Sequence, residues 1–229
     1  GTDKLMQWTR ERGITFDFAI VGEPSARERV GDSIKNGRRG SLNGAITVTG
    51  TPGHGATPDL TVDATVCAAA IIMNLQTLVS REFSPMDSVV VTVGKMTSGT
   101  RFNVISGMAV LEGTIRFFTR EIEAEIEQKV RRVVEHTAAA YRATAEMVYD
   151  RLTPPLINDK ESSEIAIGAA NKTLGEGHIT LLPKTAGSED FAFYLKEKPG
   201  AFAFIGTRNE ALKTDYPHHS GWFNIDEAA

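Results

Sequence analysis

The stretch SLNGAITVTGTPGHGATPDLTVDATVCAAAIIMNL, residues 41–75, decides the fold because its apolar pattern changes from one period to another around a single turn. Apolar residues alternate with small or polar ones over 41–49, which predicts a strand. Apolar residues then recur at helical spacing over 63–83, which predicts a long helix. Between the two lies a glycine- and proline-rich turn, 50–58, that holds one histidine, His54. Such a turn suits an imidazole held at a fixed place and an ordinary surface histidine about equally well.

Four further elements follow this stretch. β-Branched residues predict a strand at 89–93, and alternation predicts another over 109–117. Helical spacing predicts a helix over 122–137, and a short strand is predicted at 147–149. The order between residues 40 and 150 is therefore βαββαβ, which is typical of a ferredoxin-like domain. In that fold two helices cover one face of a four-stranded antiparallel sheet.

The segments on either side alternate helices with strands, as an α/β layer does. A short helix at 4–12 and a buried strand at 16–21 precede the ferredoxin-like pattern. Helices at 160–175 and 190–196 and a strand at 201–205 follow it. We therefore predict an α/β protein in which one domain is inserted into another. The predicted boundaries are 1–38 for the first segment of the α/β domain, 39–152 for the inserted domain and 153–229 for the second segment.

Composition restricts the classes of partner. The 229 residues are 41% apolar and 24% charged, with a net charge of −4 and no block of basic residues, so we expect neither a nucleic-acid partner nor a membrane partner. The longest apolar run, 66–73, is much shorter than a membrane span. The only cysteine, Cys67, excludes an internal disulfide and fits a reducing compartment, so we expect a cytoplasmic protein.

Polar clusters in predicted loops and at strand ends are the candidate functional residues. Each cluster alone is as typical of a solvated turn as of a site. An adjacent histidine pair near an acidic cluster is also a known arrangement for binding zinc. The clusters, besides the turn around His54, are GEPS (22–25), KNGRRG (35–40), GTRFNVI (99–105) with Arg116, GSEDF (187–191) and HHS (218–220).

Taken together, these clusters resemble the co-catalytic zinc amidohydrolases and exopeptidases, a family that includes aminoacylase, carboxypeptidase G, hippurate hydrolase and succinyl-diaminopimelate desuccinylase. The resemblance covers almost the whole chain in the family's order. From residue 75 onward the motifs are most similar to the N-acyl-amino-acid amidohydrolases, whereas VGEPS and NGRRGS are more similar to the desuccinylases. Any one motif is weak, but the series is specific. The matching segments are VGEPS (21–25), KNGRRGSLNG (35–44), GTPGHGATPD (50–59), LQTLVSRE (75–82), VVTVG (90–94), GTRFNVI (99–105), LEGTIRFF (111–118), GSEDFAFYL (187–195), PGAFAFIG (199–206) and HHSGWFNIDE (218–227).

The resemblance implies a zinc-binding α/β domain with an inserted lid that forms a homodimer, and hydrolysis of an amide or peptide bond in a substrate with a free carboxylate. It implies that His54 polarises the scissile carbonyl from across the dimer interface. It also implies that Glu23 is a ligand of one zinc ion and His219, in preference to His218, a ligand of the other. Manganese or cobalt would suit the same ligands.

The resemblance also implies residues that hold the substrate. Asn103, Arg116 and Arg38 would bind its carboxylate, because a guanidinium fork and an amide both suit that group. Gly187 and Ser188 would line the pocket around it.

The chain departs from the family pattern at its beginning. The family carries an HxD motif, a bridging aspartate and a Glu-Glu pair that supply the remaining zinc ligands and the general base, but no histidine precedes His54 here. We therefore expect an incomplete form of the enzyme that retains no zinc pair and is inactive alone. Two alternatives remain at this point. One is a dimerisation and substrate-gating module without catalysis, and the other is a ferredoxin-like nucleic-acid binder, which the negative charge disfavours.

Overall fold

The chain divides into two compact units, and each is described by itself. The computed structural model describes residues 2–24, 34–35, 37–179, 181–182, 187–217 and 219–226. We call residues 40–155 the inserted unit, and residues 1–39 together with 156–229 the flanking unit. The domain boundaries given by the sequence, at 38/39 and 152/153, stay a prediction.

Five helices and twelve strands occur within the described ranges. The helices are α1 (Thr2–Glu11), α2 (Ala64–Thr77), α3 (Arg120–Ala140), α4 (Lys160–Leu174) and α5 (Ala192–Glu197). The strands are β1 (Ala19–Pro24), β2 (Ile34–Lys35), β3 (Gly37–Arg38), β4 (Gly40–Thr49), β5 (Gly53–His54), β6 (Val90–Ser98), β7 (Val104–Ile105), β8 (Met108–Phe117), β9 (Thr144–Thr153), β10 (Leu156–Ile157), β11 (Leu181–Leu182) and β12 (Gly200–Ile205).

The inserted unit contains the four-stranded sheet that the sequence predicts. Its strand order is β6-β8-β4-β9, and every neighbouring pair is antiparallel. With α2 and α3 in their places along the chain, this is the βαββαβ order, so the ferredoxin-like prediction is confirmed. A second, two-stranded sheet joins β5 to β7. Two residues per strand are too few to produce a periodicity, which explains why the sequence did not predict this ladder.

One face of the four-stranded sheet carries the core. Leu42 pairs with Ile115, and Ile46 pairs with both Leu111 and Met147, so these apolar side chains point to the same side. They pack against buried residues of α2 and α3, including Ile71, Leu75, Ile126 and Val134. The opposite face carries polar residues in register, among them Thr92, Thr114, Asn43 and Asp150. Both helices therefore cover a single face, as predicted.

Helix α2 is the central helix of this core. Asp63 caps it by accepting hydrogen bonds from the backbone N–H groups of Thr65 (2.8 Å) and Val66 (3.1 Å). It ends at Thr77 and continues as a π-helical turn, Leu78–Glu82. The segment Ala64–Glu82 is apolar and long enough to cross a membrane by composition, with mean hydropathy 1.3. Its buried residues, however, pack onto the sheet as those of a core helix do.

The flanking unit has a smaller core. Its strands β1 and β12 are parallel, and β1 is hydrogen-bonded only to β12 within the described ranges. Apolar side chains cover one face of this pair; they are Leu156, Phe191, Ala192, Leu195, Phe202 and Phe204. On α4 the single buried residue is Ser162, although the helix contains two isoleucines.

The predicted buried strand at 16–21 needs correction. The strand begins at Ala19 and continues to Pro24. Phe18 is 61% exposed and Ile20 is 52% exposed, so the prediction of burial is wrong for both. A short apolar run bounded by turn residues predicts a buried strand, but it does not show what covers each face of that strand. Here the Ile20 side of the strand lies open in the part of the chain that the structure describes.

Candidate active-site residues

His54 lies on a loop structure at one end of the inserted unit, which we call the tip and define as residues 50–62 and 99–107. Strand β5 pairs His54 with Val104, and the backbone N–H of Gly55 donates to the carbonyl of Asn103 at 2.9 Å. The two segments of the tip are also joined where they meet the sheet, because Gly50, just after β4, donates its N–H to the carbonyl of Gly107, just before β8, at 2.8 Å. The structure thus brings together His54 and Asn103, two residues that are far apart in sequence.

The imidazole of His54 has a defined tautomer in its neutral form. Its Nδ1 accepts a hydrogen bond from the backbone N–H of Ala56 at 3.1 Å. A ring nitrogen that accepts carries no proton, so the neutral ring is protonated at Nε2. The side chain is exposed, and no hydrogen bond to Nε2 is formed within the described ranges. The loop therefore displays an N–H donor to the outside, which suits a group that stabilises an oxyanion.

Arg116 lies at the other end of the sheet. On β8 it pairs with Ser41 of β4 and Val90 of β6, whereas the tip follows Thr49 at the far end of β4. From Ser41 to Thr49 an extended strand rises about 27 Å. The Nη1 of Arg116 is shielded from solvent and has no hydrogen-bond partner among the described residues. A buried guanidinium nitrogen without a partner is costly, and a carboxylate ligand would satisfy it.

Arg38 belongs to the flanking unit and forms an ion pair within it. Its Nη1 lies 3.1 Å from the carboxylate of Glu189 and 3.1 Å from the carbonyl of Ser188. The guanidinium also lies 5.2 Å and 5.0 Å from the ring centroids of Phe202 and Phe204. The side chains of Arg38 and Glu189 are only 13% and 18% exposed.

Gly187 and Ser188 lie beside this ion pair. A Cβ atom on Gly187 would be 3.8 Å from the Arg38 Nη1. The structure therefore places three predicted substrate-binding residues, Arg38, Gly187 and Ser188, in one neighbourhood. Sequence reasoning missed Glu189 as the partner of Arg38, because 151 residues separate the two and only the acidic cluster itself was visible.

Asp190, the next acid of that cluster, also has a structural contact. It accepts hydrogen bonds from the hydroxyl of Thr2 (2.6 Å) and from the backbone N–H of Thr2 (3.3 Å). The Thr2 side-chain hydrogen bond holds the pKa of Asp190 below its ordinary value. Among the described residues, neither acid of the 189–190 pair belongs to a group that could hold a metal ion.

The two predicted zinc ligands lie on separate segments of the flanking unit. Glu23 is near the end of β1, where its backbone is paired with Phe204 of β12. His219 is exposed and has a left-handed backbone with φ of 65°; its alternative, His218, lies outside the described residues. Across the described ranges no group of three or more His, Cys, Asp or Glu residues could hold a metal ion. Two ligands do not fit a zinc site, which takes at least three from the protein.

The comparison with known proteins agrees with this architecture. Residues 36–142 match the model of a peptidase dimerisation domain of the M20 type. The N-acetyl-L-cysteine deacetylase of Bacillus subtilis is 38% identical over 184 residues, which are 80% of this chain. The chain belongs to the M20 family. Another relative, the IAA-amino acid hydrolase ILR1-like 4 of Arabidopsis thaliana, is 35% identical over 185 residues, or 79% of this chain.

A solved M20 structure shows the same fold over the whole chain. It is a dinuclear metal-binding peptidase from Bacillus subtilis, with 25% identity and a TM-score of 0.73 over 100% of this chain. The chain spans 42% of the length of each of the two relatives and 56% of the solved peptidase chain. It therefore combines the M20 dimerisation domain with part of the M20 α/β domain.

Proposed function

We propose that the full protein containing this chain hydrolyses the amide bond of an N-acyl amino acid or small peptide that carries a free carboxylate. The names of the two relatives support this proposal, since a deacetylase of N-acetyl-L-cysteine and a hydrolase of IAA-amino acids both cleave such a bond. The solved relative is a dinuclear metal-binding peptidase, which supports a metal-activated water as the nucleophile.

The observation that carries the proposal is the separation of the candidate residues within one chain. His54 and Asn103 lie at the tip, and Arg116 lies at the opposite end of a sheet whose central strand is about 27 Å long. A substrate amide spans only a few ångströms between its carbonyl and its carboxylate. One chain cannot place His54 and Arg116 on the same small substrate, but two chains can.

We therefore propose a homodimer in which the tip of one subunit completes the site of the other. Helix α2 exposes Val66 and Met73, and β6 is an edge strand paired only with β8 among the described elements. An edge strand beside an apolar helix face suits a two-fold interface between copies. The matched dimerisation domain covers both elements.

Each proposed residue then has a defined role. The Nε2–H of His54 donates to the oxygen of the scissile carbonyl as negative charge develops there, and removal of one such donor typically costs ~10²–10³ in rate. The buried Nη1 of Arg116 binds the substrate carboxylate, and the Asn103 amide supports it. Glu189 already neutralises the charge of Arg38. We therefore propose that Arg38, with Gly187 and Ser188, lines the substrate pocket and that Arg116 is the main ligand of the substrate carboxylate.

The metal, when bound in the full protein, supplies an activated water. Glu23 and His219 are the ligands that this chain would contribute, with zinc as the proposed metal. Because two ligands are too few, the chain alone is expected to bind no stable zinc pair and to cleave no N-acyl amino acid. Elemental analysis of the purified chain tests this point, and near-stoichiometric zinc accompanied by hydrolysis would contradict it.

The experiment that tests the proposal mixes inactive subunits. Full-length His54→Ala and Glu23→Ala variants are each expected to be inactive, and exchange between them should restore activity because one subunit supplies the metal ligand and the other the imidazole. Size-exclusion chromatography with differently tagged subunits demonstrates the exchange. Persistent inactivity of the exchanged dimers would contradict the role of His54 across the interface.

A second candidate function is a dimerisation and gating module without catalysis. It is favoured by one observation, that the inserted unit has its own complete core while the described flanking unit forms no cluster of metal ligands. Absence of amidase activity in the full protein with bound metal would favour this module over the hydrolase.

A further inference from the structure

Phe102 is an apolar residue that the proposed chemistry does not use. Its side chain is fully exposed, at the apex of a β-turn closed by the Val104 N–H and the Arg101 carbonyl at 3.3 Å. Asn103 is the other central residue of this turn. A single exposed apolar side chain is common on a protein surface. Here, however, exposed Leu60 and half-exposed Val104 lie on the same tip, so apolar groups accompany His54 and Asn103.

The turn that carries Phe102 is held at several points. The Gly55 N–H binds the carbonyl of the next residue, Asn103, and the Gly99 N–H binds the Ser106 hydroxyl at 3.2 Å. That hydroxyl lies 2.7 Å from the Met108 carbonyl, at the start of β8. Phe102 is therefore presented at a fixed position relative to His54. An aromatic side chain on a fixed backbone loses only its own side-chain freedom when it binds an apolar partner, which lowers the entropic cost of binding.

We infer that Phe102 is a specificity-determining residue that contacts the apolar part of the substrate in the site of a second copy of this chain. This inference rests on the proposed function. Consecutive Cα atoms are about 3.8 Å apart, so any site that receives Asn103 also receives Phe102. In that site the aromatic ring meets either the acyl group or the amino-acid side chain of the substrate. Where that part of the substrate is apolar, contact with the ring removes it from water.

The test measures kcat and KM of full-length Phe102→Ala and Phe102→Leu dimers on two substrate series. In the first, acetyl, butyryl and octanoyl groups are attached to alanine; in the second, an acetyl group is attached to alanine, leucine and phenylalanine. We expect Phe102→Ala to raise KM by about tenfold more for the larger members of one series than for acetyl-alanine, because an apolar pocket contact is lost. The responding series identifies the part of the substrate that is contacted, and Phe102→Leu should recover part of the effect.

Met86→Ala is the matched control, because Met86 is a 90% exposed apolar residue of the inserted unit outside the tip. It should leave both series unchanged. Equal changes for all substrates, or a change only in dimer stability, would overturn the role of Phe102. The wild-type protein and the His54→Ala variant distinguish a failure of the proposed function from a failure of this inference. If His54→Ala is fully active, the proposed role of His54 across the interface fails, and if the wild-type protein hydrolyses neither series, the proposed function itself fails. If wild type is active and His54→Ala is inactive while Phe102→Ala shows no substrate preference, only this inference fails.

Discussion

The inserted and flanking units use apolar residues in different ways. In the inserted unit the core runs through both helices and all four long strands, and Phe117, Ile71, Leu75 and Ile126 are completely or almost completely buried. In the flanking unit the core covers one face of the β1–β12 pair. A sheet of two strands is marginally stable by itself, whereas a four-stranded sheet that packs against helices can be stable as an independent domain. The comparison indicates that one unit is a complete domain and the other is part of a layered α/β domain.

The two units also differ in the candidate functional features that their described residues form. The inserted unit presents a tip that is held by hydrogen bonds formed within that unit. In the flanking unit, the described residues include no group with the three protein ligands that a zinc site requires. This agrees with a chain that spans 42% of its two relatives. The tip is therefore formed within this chain, whereas the described residues form no metal site.

The largest expected effect is in the core of the inserted unit. Phe117→Ala removes a fully buried ring that lies against Gly40, and it should lower the free energy of unfolding by about 3–5 kcal/mol. Urea unfolding followed by circular dichroism measures this. Val148→Ala, on the open face of the same sheet, is the control and should cost less than about 0.5 kcal/mol. A small loss of unfolding free energy for Phe117→Ala would contradict the burial of this ring in the core of the inserted unit.

An intermediate effect is expected at the ion pair of the flanking unit. Glu189→Gln leaves the guanidinium of Arg38 without its carboxylate, so we expect a loss of about 1–3 kcal/mol, reduced from the cost of a fully buried pair by the remaining exposure. Glu164→Gln breaks an exposed pair with Lys160 and should be near neutral. Thermal unfolding compares the two variants. Equal melting temperatures would mean that Arg38 and Glu189 do not stabilise this unit.

The smallest effect concerns pH. The pKa of Asp190 is lower in the folded state than in the unfolded state, mainly because of the Thr2 hydroxyl. Its contribution to stability is therefore fully present above the unfolded pKa and is lost as pH falls through the folded pKa. Asp190→Asn should weaken the fall in stability of the flanking unit in acid. Unfolding curves at neutral and acid pH test this. If the acid dependence of stability is unchanged in the variant, Asp190 does not contribute to it.

The elements predicted from the sequence are those with long periodic patterns. Strand β4 and helices α2 and α3 each contain several turns or alternations, so their type follows from local spacing. The short β5–β7 ladder has no such pattern, although it fixes His54 beside Asn103. The predicted burial at Phe18 and Ile20 was wrong because burial depends on what covers a strand, which local sequence does not contain.

The candidate site was predictable as residue types but not as an arrangement. The family resemblance implies a catalytic role for His54 and a carboxylate-binding role for Asn103, Arg116 and Arg38, and these roles stay predictions. The register of β4 with β8 shows that Arg116 is at the opposite end from His54 and Asn103. Likewise, the motif around Arg38 gave no indication of Glu189. Tertiary pairing over long sequence separations determines both results, and one sequence provides no direct signal of it.

The most direct test of the central claim uses the two ends of the inserted unit. Full-length His54→Ala is mixed with Arg116→Ala, and separately with Asn103→Ala, and amidase activity is measured after subunit exchange. If the tip acts across the dimer, the first mixture should recover about a quarter of wild-type activity, because half of the randomly formed dimers are mixed and each contains one intact site. The second mixture should stay inactive, because both substitutions damage a tip. Activity in the second mixture, or none in the first, would contradict the claim that His54 and Asn103 serve one subunit's site from the tip of the other.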